Sequence, residues 1–116
     1  MHDFRRLRVW REARTLGTEI YAIFSEKGRA DQLITTQLRR SALSIATNIA
    51  EGCGKNSRAE TIRYFEIASE SAAETEHHLE VACDVGVLSA HRAAPLIERA
   101  ATVRRMLDSL IARLPR

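Results

Sequence analysis

Aromatic residues are scarce in this 116-residue chain, which contains one Trp, two Tyr and three Phe. Because β-strands favour aromatic and β-branched side chains, this shortage disfavours a β-sheet. Ala, Leu, Ile, Arg and Glu are abundant instead, and most of these residues favour helices. The composition therefore predicts an all-α protein, and the length predicts a single domain over residues 1–116 with one core.

Long apolar runs are also missing, since no stretch reaches the length needed to cross a bilayer. The segment MHDFRRLRVWREAR is charged from its start and lacks the apolar region of a signal peptide. The two cysteines, Cys53 and Cys83, are far apart in sequence and have no Cys or His neighbour at metal-binding spacing. We therefore expect free thiols, a cytoplasmic location and no membrane partner.

The formal charge of +3 is distributed unevenly along the chain. Residues 57–86 contain seven acidic and two basic residues, whereas residues 87–116 contain two acidic and six basic ones. Sixteen of the eighteen cations are arginine, which suits bidentate contacts with carboxylates and phosphates. This segregation is compatible with salt bridges between helices, docking of subunits, binding of a polyanion, or a solvated charged face.

Apolar residues recur at steps of three and four along four segments, which is the spacing of amphipathic helices. Ser57 and Glu60 form a capping-box pattern before the third segment, whereas Ser89 and Pro95 are alternative starts for the fourth. The first helix is predicted over residues 3–27 with a stop at Gly28, and the second from a cap at Asp31 to Glu51. The third is predicted from Ser57 to a stop at Gly86, and the fourth from Ser89 or Pro95 to the carboxyl end. Short connections between four such helices predict an antiparallel up-down-up-down bundle.

The predicted second helix carries two stripes. Its apolar stripe contains Leu38, Ala42, Ile45 and Ile49, and is widened by Leu43, Ala46 and Ala50. Opposite this stripe, at the same helical spacing, a polar line contains Ser41, Ser44, Asn48 and Glu51. Small residues in the polar line allow another backbone to approach closely. We therefore predict a polar seam against another helix or a neighbouring subunit, where the amide fixes the register.

Glu74 and His77 form an E-x-x-H pattern, the spacing that places two metal ligands in the core of a di-iron bundle. Such a site needs two of these units and two more carboxylates, and this chain has one unit. Glu66, Glu70 and Glu74 also lie away from the apolar face of their helix, which is typical of an acidic stripe that pairs with arginines. We therefore expect no metal and no other cofactor.

Ser41, Ser44 and Cys53 have no histidine or other base placed beside them by the local sequence, so no nucleophilic site is indicated. Binding of a phosphate backbone needs only accessible cations. The chain shows no helix-turn-helix, zinc-finger or RNA-binding sheet pattern, and some arginines are expected to pair with the acidic third helix. The candidate phosphate contacts are Arg5, Arg6, Arg8, Arg11, Arg14, Arg39, Arg40, Lys55, Arg58, Arg104 and Arg105.

Four stretches of the sequence resemble one known family. They are VWREARTLGTEIY (9–21), QLRRSALSIATNIAEG (37–52), RYFEIASESAAETEHHL (63–79) and RRMLDSLIARL (104–114). The chain resembles the four-helix bundle protein family, also called the 23S rRNA intervening-sequence protein family, and NIAEG (48–52) is the most specific mark. This family is similar in fold to the accessory variability determinant protein of diversity-generating retroelements.

The resemblance implies a homopentamer without known catalytic activity, and its retroelement relatives bind nucleic acid and a reverse transcriptase. It places Asn48, Glu51 and Gly52 in a central motif, and Ser71, Glu74 and Glu76 in a third-helix motif, so Glu74 and Glu76 join the predicted seam. Glu70, His77 and His78 depart from the residues usual in the family. The leading hypothesis is a non-enzymatic ring that presents arginines to RNA or DNA; the alternative is a protein-interaction scaffold.

Overall fold

The computed structural model describes residues 3–25 and 32–115. A short 3-10 turn (Phe4–Arg6) precedes four helices, which are α1 (Arg8–Ser25), α2 (Gln32–Cys53), α3 (Arg58–Asp84) and α4 (Ala90–Arg113). No strand occurs in these two ranges, which agrees with the all-α prediction. The predicted stop at Gly28 and cap at Asp31 lie outside the described residues.

Serine caps begin α3 and α4. The Ser57 Oγ accepts a hydrogen bond of 3.2 Å from the backbone N–H of Glu60, as the capping-box pattern predicts. The Ser89 Oγ accepts one of 3.2 Å from the backbone N–H of Arg92. Of the two starts that the sequence left open for α4, the structure therefore takes the one at Ser89, and the helix continues through Pro95.

The end of α3 is a Schellman motif built on Gly86. This glycine has a φ of +81°, which side chains other than hydrogen rarely allow. The Val87 N–H donates to the Ala82 carbonyl at 2.9 Å, and the Gly86 N–H donates to the Cys83 carbonyl at 3.1 Å. The predicted stop at Gly86 is thus confirmed, whereas α2 runs two residues beyond its predicted end at Glu51.

Neighbouring helices run antiparallel. Near the α2–α3 turn, the Thr61 hydroxyl donates to the Gly52 carbonyl at 2.9 Å. Across the open side of the bundle, Arg99 of α4 forms an ion pair with Glu19 of α1. The chain therefore forms the predicted up-down-up-down four-helix bundle, which measures 43 × 20 × 20 Å.

All four helices contribute to one apolar core. Its largest fully buried side chains are Leu16 and Ile20 from α1, Leu38, Ile45 and Ile49 from α2, Phe65 and Leu79 from α3, and Val103 and Leu107 from α4. Each such side chain contributes roughly 1.5–3 kcal/mol when it leaves water. Leu43, which the sequence placed in the widened stripe of α2, is instead 39% exposed, because α1 and α3 do not cover the whole of that stripe.

α2 and α3 approach each other closely at Gly52. A Cβ at this position would lie 2.9 Å from the Cε1 of Phe65 and 3.1 Å from the Cβ of Tyr64. The aromatic ring of Phe65 is itself fully buried, so it has little room to move aside. Gly52 is therefore a packing residue inside α2, just past the end that the sequence predicted for this helix at Glu51.

We expect Gly52→Ala to lower the free energy of unfolding by about 1–3 kcal/mol, because the added methyl group overpacks the α2–α3 contact. Urea denaturation followed by circular dichroism measures this change. Gly54→Ala is the matched control, since a Cβ there would meet no atom closer than 3.6 Å, and it should be neutral or slightly stabilising. Equal stability of the two variants would contradict the packing role of Gly52.

Candidate nucleic-acid interface

The serines of the predicted seam lie between α2 and α3 of the same chain. The Ser44 and Ser71 hydroxyl oxygens are 2.9 Å apart, and those of Ser41 and Thr75 are 3.0 Å apart. The Thr75 hydroxyl has two acceptors, the Ser41 Oγ at 3.0 Å and the Ser71 carbonyl at 2.8 Å, while the Ser41 hydroxyl donates to the Leu38 carbonyl at 3.4 Å. The hydroxyls at this contact thus meet one another's need for hydrogen-bond partners. The sequence predicted a seam against another helix or a neighbouring subunit, and for these serines the partner is α3.

Asn48 and Glu51 differ in their surroundings. The half-buried amide of Asn48 donates to the backbone carbonyl of Ser44 at 2.9 Å and to its hydroxyl at 3.0 Å. Asn48 therefore supports the serine pair across the α2–α3 contact. Glu51 is exposed and lies instead on the α1 side of α2, beside Trp10. The polar line is thus one stripe on the predicted helix, but its residues belong to two surfaces, the α2–α3 contact and the α1 side of α2.

Two acidic residues of α3 pair with arginines of its neighbours. Glu76 accepts a hydrogen bond of 2.5 Å from the Nε of Arg104 on α4, and the two side chains are 20% and 32% exposed. This hydrogen bond and the charge of Glu76 hold the pKa of Arg104 above its ordinary value. Glu74 lies 3.5 Å from Arg40 of α2. Both acids therefore act within the bundle, at the α3–α4 and α2–α3 contacts.

The E-x-x-H pattern does not assemble a ligand cluster in the described part of the chain. Glu74 lies 3.1 Å from the Nε2 of His78, one turn further along α3, whereas His77 is exposed. Between residues 3–25 and 32–115, no three His, Cys, Asp or Glu side chains are grouped to hold a metal ion. The carboxylate of Glu74 is engaged by Arg40 and His78.

Antiparallel packing gathers cations at one end of the bundle. We call residues 3–16, 43–71 and 102–115 the basic half; they include the start of α1, the α2–α3 turn and the end of α4. The basic half contains 11 Arg or Lys and 7 Asp or Glu. The remaining described residues, the acidic half, contain 4 and 6. Charge is therefore polarised along the long axis of the molecule.

Two shallow depressions in the basic half are lined by cations. One has a volume of about 340 Å³ and lies between the α2–α3 turn and the end of α4, with Lys55 and Arg58 on its wall. The other has a volume of about 310 Å³ and is lined by Arg58, Arg63 and Glu66. Arg58 is thus shared by both. Arg63 of α3 and Arg113 of α4 also lie at this end, although neither was predicted from the sequence as a phosphate contact.

The predicted phosphate contacts differ in how far the fold engages them. Arg104 is held by Glu76, and Arg40 lies beside Gln37 and Glu74. Three others pair with exposed acids: Arg5 with Asp3, Arg8 with Glu12 at 3.9 Å, and Arg105 with Glu98. Two donate to backbone carbonyls, Arg11 to that of Arg5 and Arg39 to that of Phe24. The remaining four form no ion pair within the described ranges: Arg6, Arg14, Lys55 and Arg58. Exposed pairs of this kind are weak and exchange readily with an incoming phosphate.

Several cations lie over aromatic rings. The guanidinium of Arg5 is 4.5 Å from the ring centre of Phe4, and that of Arg14 is 5.5 Å from Trp10. Arg39 lies 5.2 Å from Tyr21 in the same way. These contacts hold the cations in place while leaving them at the surface.

The asymmetric charge and the fold together define a helical bundle with one cationic end. Residues 5–109 match the family model described as 23S rRNA-intervening sequence protein. Since this match spans most of the chain, the protein belongs to that family. The likeness to the accessory variability determinant protein stays a prediction.

A solved structure supports the fold independently. It is a protein with unknown function from the S23 ribosomal protein family of Bacteroides thetaiotaomicron, which superposes with a TM-score of 0.80 at 24% identity over 89% of this chain and 97% of that chain. At this identity the likeness concerns the fold alone. No curated protein matches the sequence. Among the helices of the described ranges, none is long and apolar enough to traverse a bilayer.

The engagement of Arg104 by Glu76 predicts that this arginine stabilises the bundle. Arg104→Met should lower the free energy of unfolding by about 1–3 kcal/mol, because the half-buried Glu76 loses its charged partner. Its neighbour Arg105 is the matched control, since the Arg105–Glu98 pair is exposed and its loss should cost about 0–1 kcal/mol. Thermal and urea denaturation of both variants measure the difference. A larger loss for Arg105→Met would contradict this assignment.

Proposed function

We propose that the protein is a non-enzymatic, oligomeric helical bundle that binds the phosphate backbone of nucleic acid through its basic half. The observation that carries this proposal is the axial polarisation of charge, with 11 cations at one end against 4 at the other. Cations in an accessible patch are sufficient for contacts with a polyanion. Arg6, Arg58 and Lys55 supply such contacts without disturbing an ion pair among the residues that are described.

Recognition of this kind does not read sequence. The cations belong to a 3-10 turn, a loop and the bundled helices themselves, and within residues 3–25 and 32–115 no helix projects from the bundle to enter a groove. Contacts with phosphate position a protein on nucleic acid but carry no base information. The basic half is therefore proposed to bind unrelated sequences with similar affinity.

Assembly strengthens such weak contacts. The family resemblance implies a homopentamer, and a closed ring of five subunits places five copies of the basic half on one particle. The subunits then bind one nucleic acid chain together, which raises the effective affinity well above that of a single bundle. The pentamer is part of the proposal, as is the absence of catalysis.

A protein-interaction scaffold is the alternative function. The segregation that favours a polyanion also favours docking between a basic surface and an acidic one, such as the exposed acids of α3. In this case the arginines face another subunit or a protein partner, for which the resemblance suggests a reverse transcriptase. The experiments below separate the two functions.

The salt dependence of binding tests the backbone contacts. We expect Arg6→Gln/Arg58→Gln to reduce the slope of log Kd against log salt by about 2 for each subunit engaged, since each lost phosphate contact removes about 1. Fluorescence anisotropy with two unrelated labelled duplexes measures the slope, and both should weaken alike.

The control for this test is Arg92→Gln/Arg99→Gln, which removes the same charge from the acidic half. It should leave affinity and slope near those of the wild type. Equal weakening by the two double variants would show that net charge alone drives binding. Loss for only one of the two duplexes would contradict the backbone mode.

Native mass spectrometry of protein purified at low salt without nuclease tests assembly. We expect a ring mass that carries heterogeneous extra mass, which nuclease removes. Asn48→Leu should keep the helical content but change the size of the oligomer, because Asn48 is half-buried at the edge of the α2–α3 contact. Thr75→Val, which alters only buried hydrogen bonds within the chain and none made by Asn48, is the control.

A clean ring without adducts would favour the scaffold. A wild-type monomer would contradict the oligomer. An Asn48→Leu protein of unchanged size would show that this amide serves only the α2–α3 contact of its own chain.

A further inference from the structure

A groove between α1 and α2 lies open at the basic half. Its wall is formed by the rings of Phe4 and Trp10 on one side and by Ala46 and Ala50 on the other, and its volume is about 450 Å³. The small residues of α2 leave the space, and the 3-10 turn folds Phe4 back so that its ring centre lies 4.9 Å from that of Trp10. Both rings are half-buried, so part of each faces solvent. We call this the aromatic groove; Thr47 and Glu51 complete it.

Arginines accompany both rings of the aromatic groove. Arg5 lies over Phe4 and Arg14 lies over Trp10, at 4.5 and 5.5 Å. A third such pair, Tyr21 with Arg39 at 5.2 Å, lies three turns further along the same face of α1, about 16 Å away. Aromatic rings beside cations are the arrangement by which proteins hold single strands, because bases stack on the rings while cations contact phosphates.

From this arrangement we propose that the aromatic groove binds an unpaired base of single-stranded nucleic acid, with Trp10 as the stacking platform. The inference rests on the proposed function and deepens it. It adds a preference for single strands, since a paired and stacked base cannot reach the groove. The phosphates on either side of the base are held by Arg14, and by Arg5 once it exchanges its exposed pair with Asp3 for a phosphate.

Glu51 gives the aromatic groove a further property. Its exposed carboxylate stands at the rim, and it forms no ion pair within residues 3–25 and 32–115. A carboxylate accepts hydrogen bonds from the N4 amino group of cytosine, whereas thymine offers a carbonyl at the corresponding position. The groove is therefore expected to favour cytosine over thymine.

A second copy of the chain is the competing occupant of the groove, because tyrosine, tryptophan and arginine are also enriched where proteins meet. The observations favour nucleic acid over this occupant. Arg14 over Trp10 forms no ion pair within residues 3–25 and 32–115, whereas Arg5 over Phe4 shares its charge with the exposed Asp3, and Glu51 is the one acid among the described residues that line the groove. A second copy would bring a net charge of +3 to a surface that is already cationic.

Trp10 is the only tryptophan of the chain, so its fluorescence reports on the groove directly. We expect a 12-nucleotide dC or dT strand to quench Trp10 emission, with dC binding more tightly. A 12-base-pair duplex should bind, as measured by the anisotropy of a label on the DNA, without quenching. Glu51→Gln should remove the preference for dC over dT.

Two variants test the groove without relying on one substitution. Trp10→Leu should weaken single-strand binding by about 5- to 150-fold, the range for loss of one stacked base, while Trp10→Phe retains most of it. Ala46→Leu fills the groove from α2 and changes no charge, so it should reduce both quenching and single-strand affinity. Duplex affinity of the same variants serves as the internal control for folding.

The outcomes are distinguishable. No binding of either DNA would overturn the proposed function and this inference with it. Binding without quenching, with variants that affect single strands and duplex equally, would overturn the groove alone and leave the backbone contacts in place. A change of Trp10 emission on dilution of the protein without DNA would show that a second copy occupies the groove, and would also overturn the inference.

Discussion

The packing of α2 against α3 is the contact on which the other features of the molecule depend. At one end Phe65 fits against Gly52, where even a methyl group would clash, and towards the other end paired hydroxyls replace apolar side chains. This contact fixes the register of two central helices. Because α1 packs on α2, and α4 packs on α3, the positions of the outer helices follow from it.

The same register determines where charge accumulates. In sequence the acidic residues concentrate in one segment, the third helix, and basic residues lie before and after it. Folding turns this pattern into a polarity along the bundle axis, because the start of α1, the α2–α3 turn and the end of α4 meet at one end. Glu76 in the middle of α3 neutralises Arg104, but the other 10 cations of the basic half still outnumber its 7 acids. A cationic surface thus arises from chain topology as much as from composition.

Aromatic side chains at the surface give this cationic end groups on which a base can stack. A bundle needs few aromatic residues in its core, and here Phe65 is the only ring among the largest fully buried side chains of the described residues. Phe4 and Trp10 lie instead at the surface between α1 and α2 in the basic half, each with an arginine over it, and Tyr21 with Arg39 repeats the arrangement in the acidic half. The two proposals differ in the contact that they invoke. Contacts with the phosphate backbone use the cations that form no ion pair among the described residues, whereas contact with a base uses the ring–arginine pairs.

The sequence alone determined the helices, because helical periodicity and serine caps such as Ser57 are local properties of the chain. Short connections determined their antiparallel order, and the resemblance of stretches such as NIAEG (48–52) indicated the family. The sequence could not determine which surface a polar residue joins. Ser44 and Glu51 are on one stripe of α2, yet Ser44 contacts α3 and Glu51 borders α1. A helical wheel gives the direction of each side chain but not the positions of the neighbouring helices. Nor did the sequence show that Gly52 is a packing residue inside α2, or that Arg63 and Arg113 share an end with Lys55. These features depend on distances between residues far apart in the chain, and only the tertiary structure sets those distances.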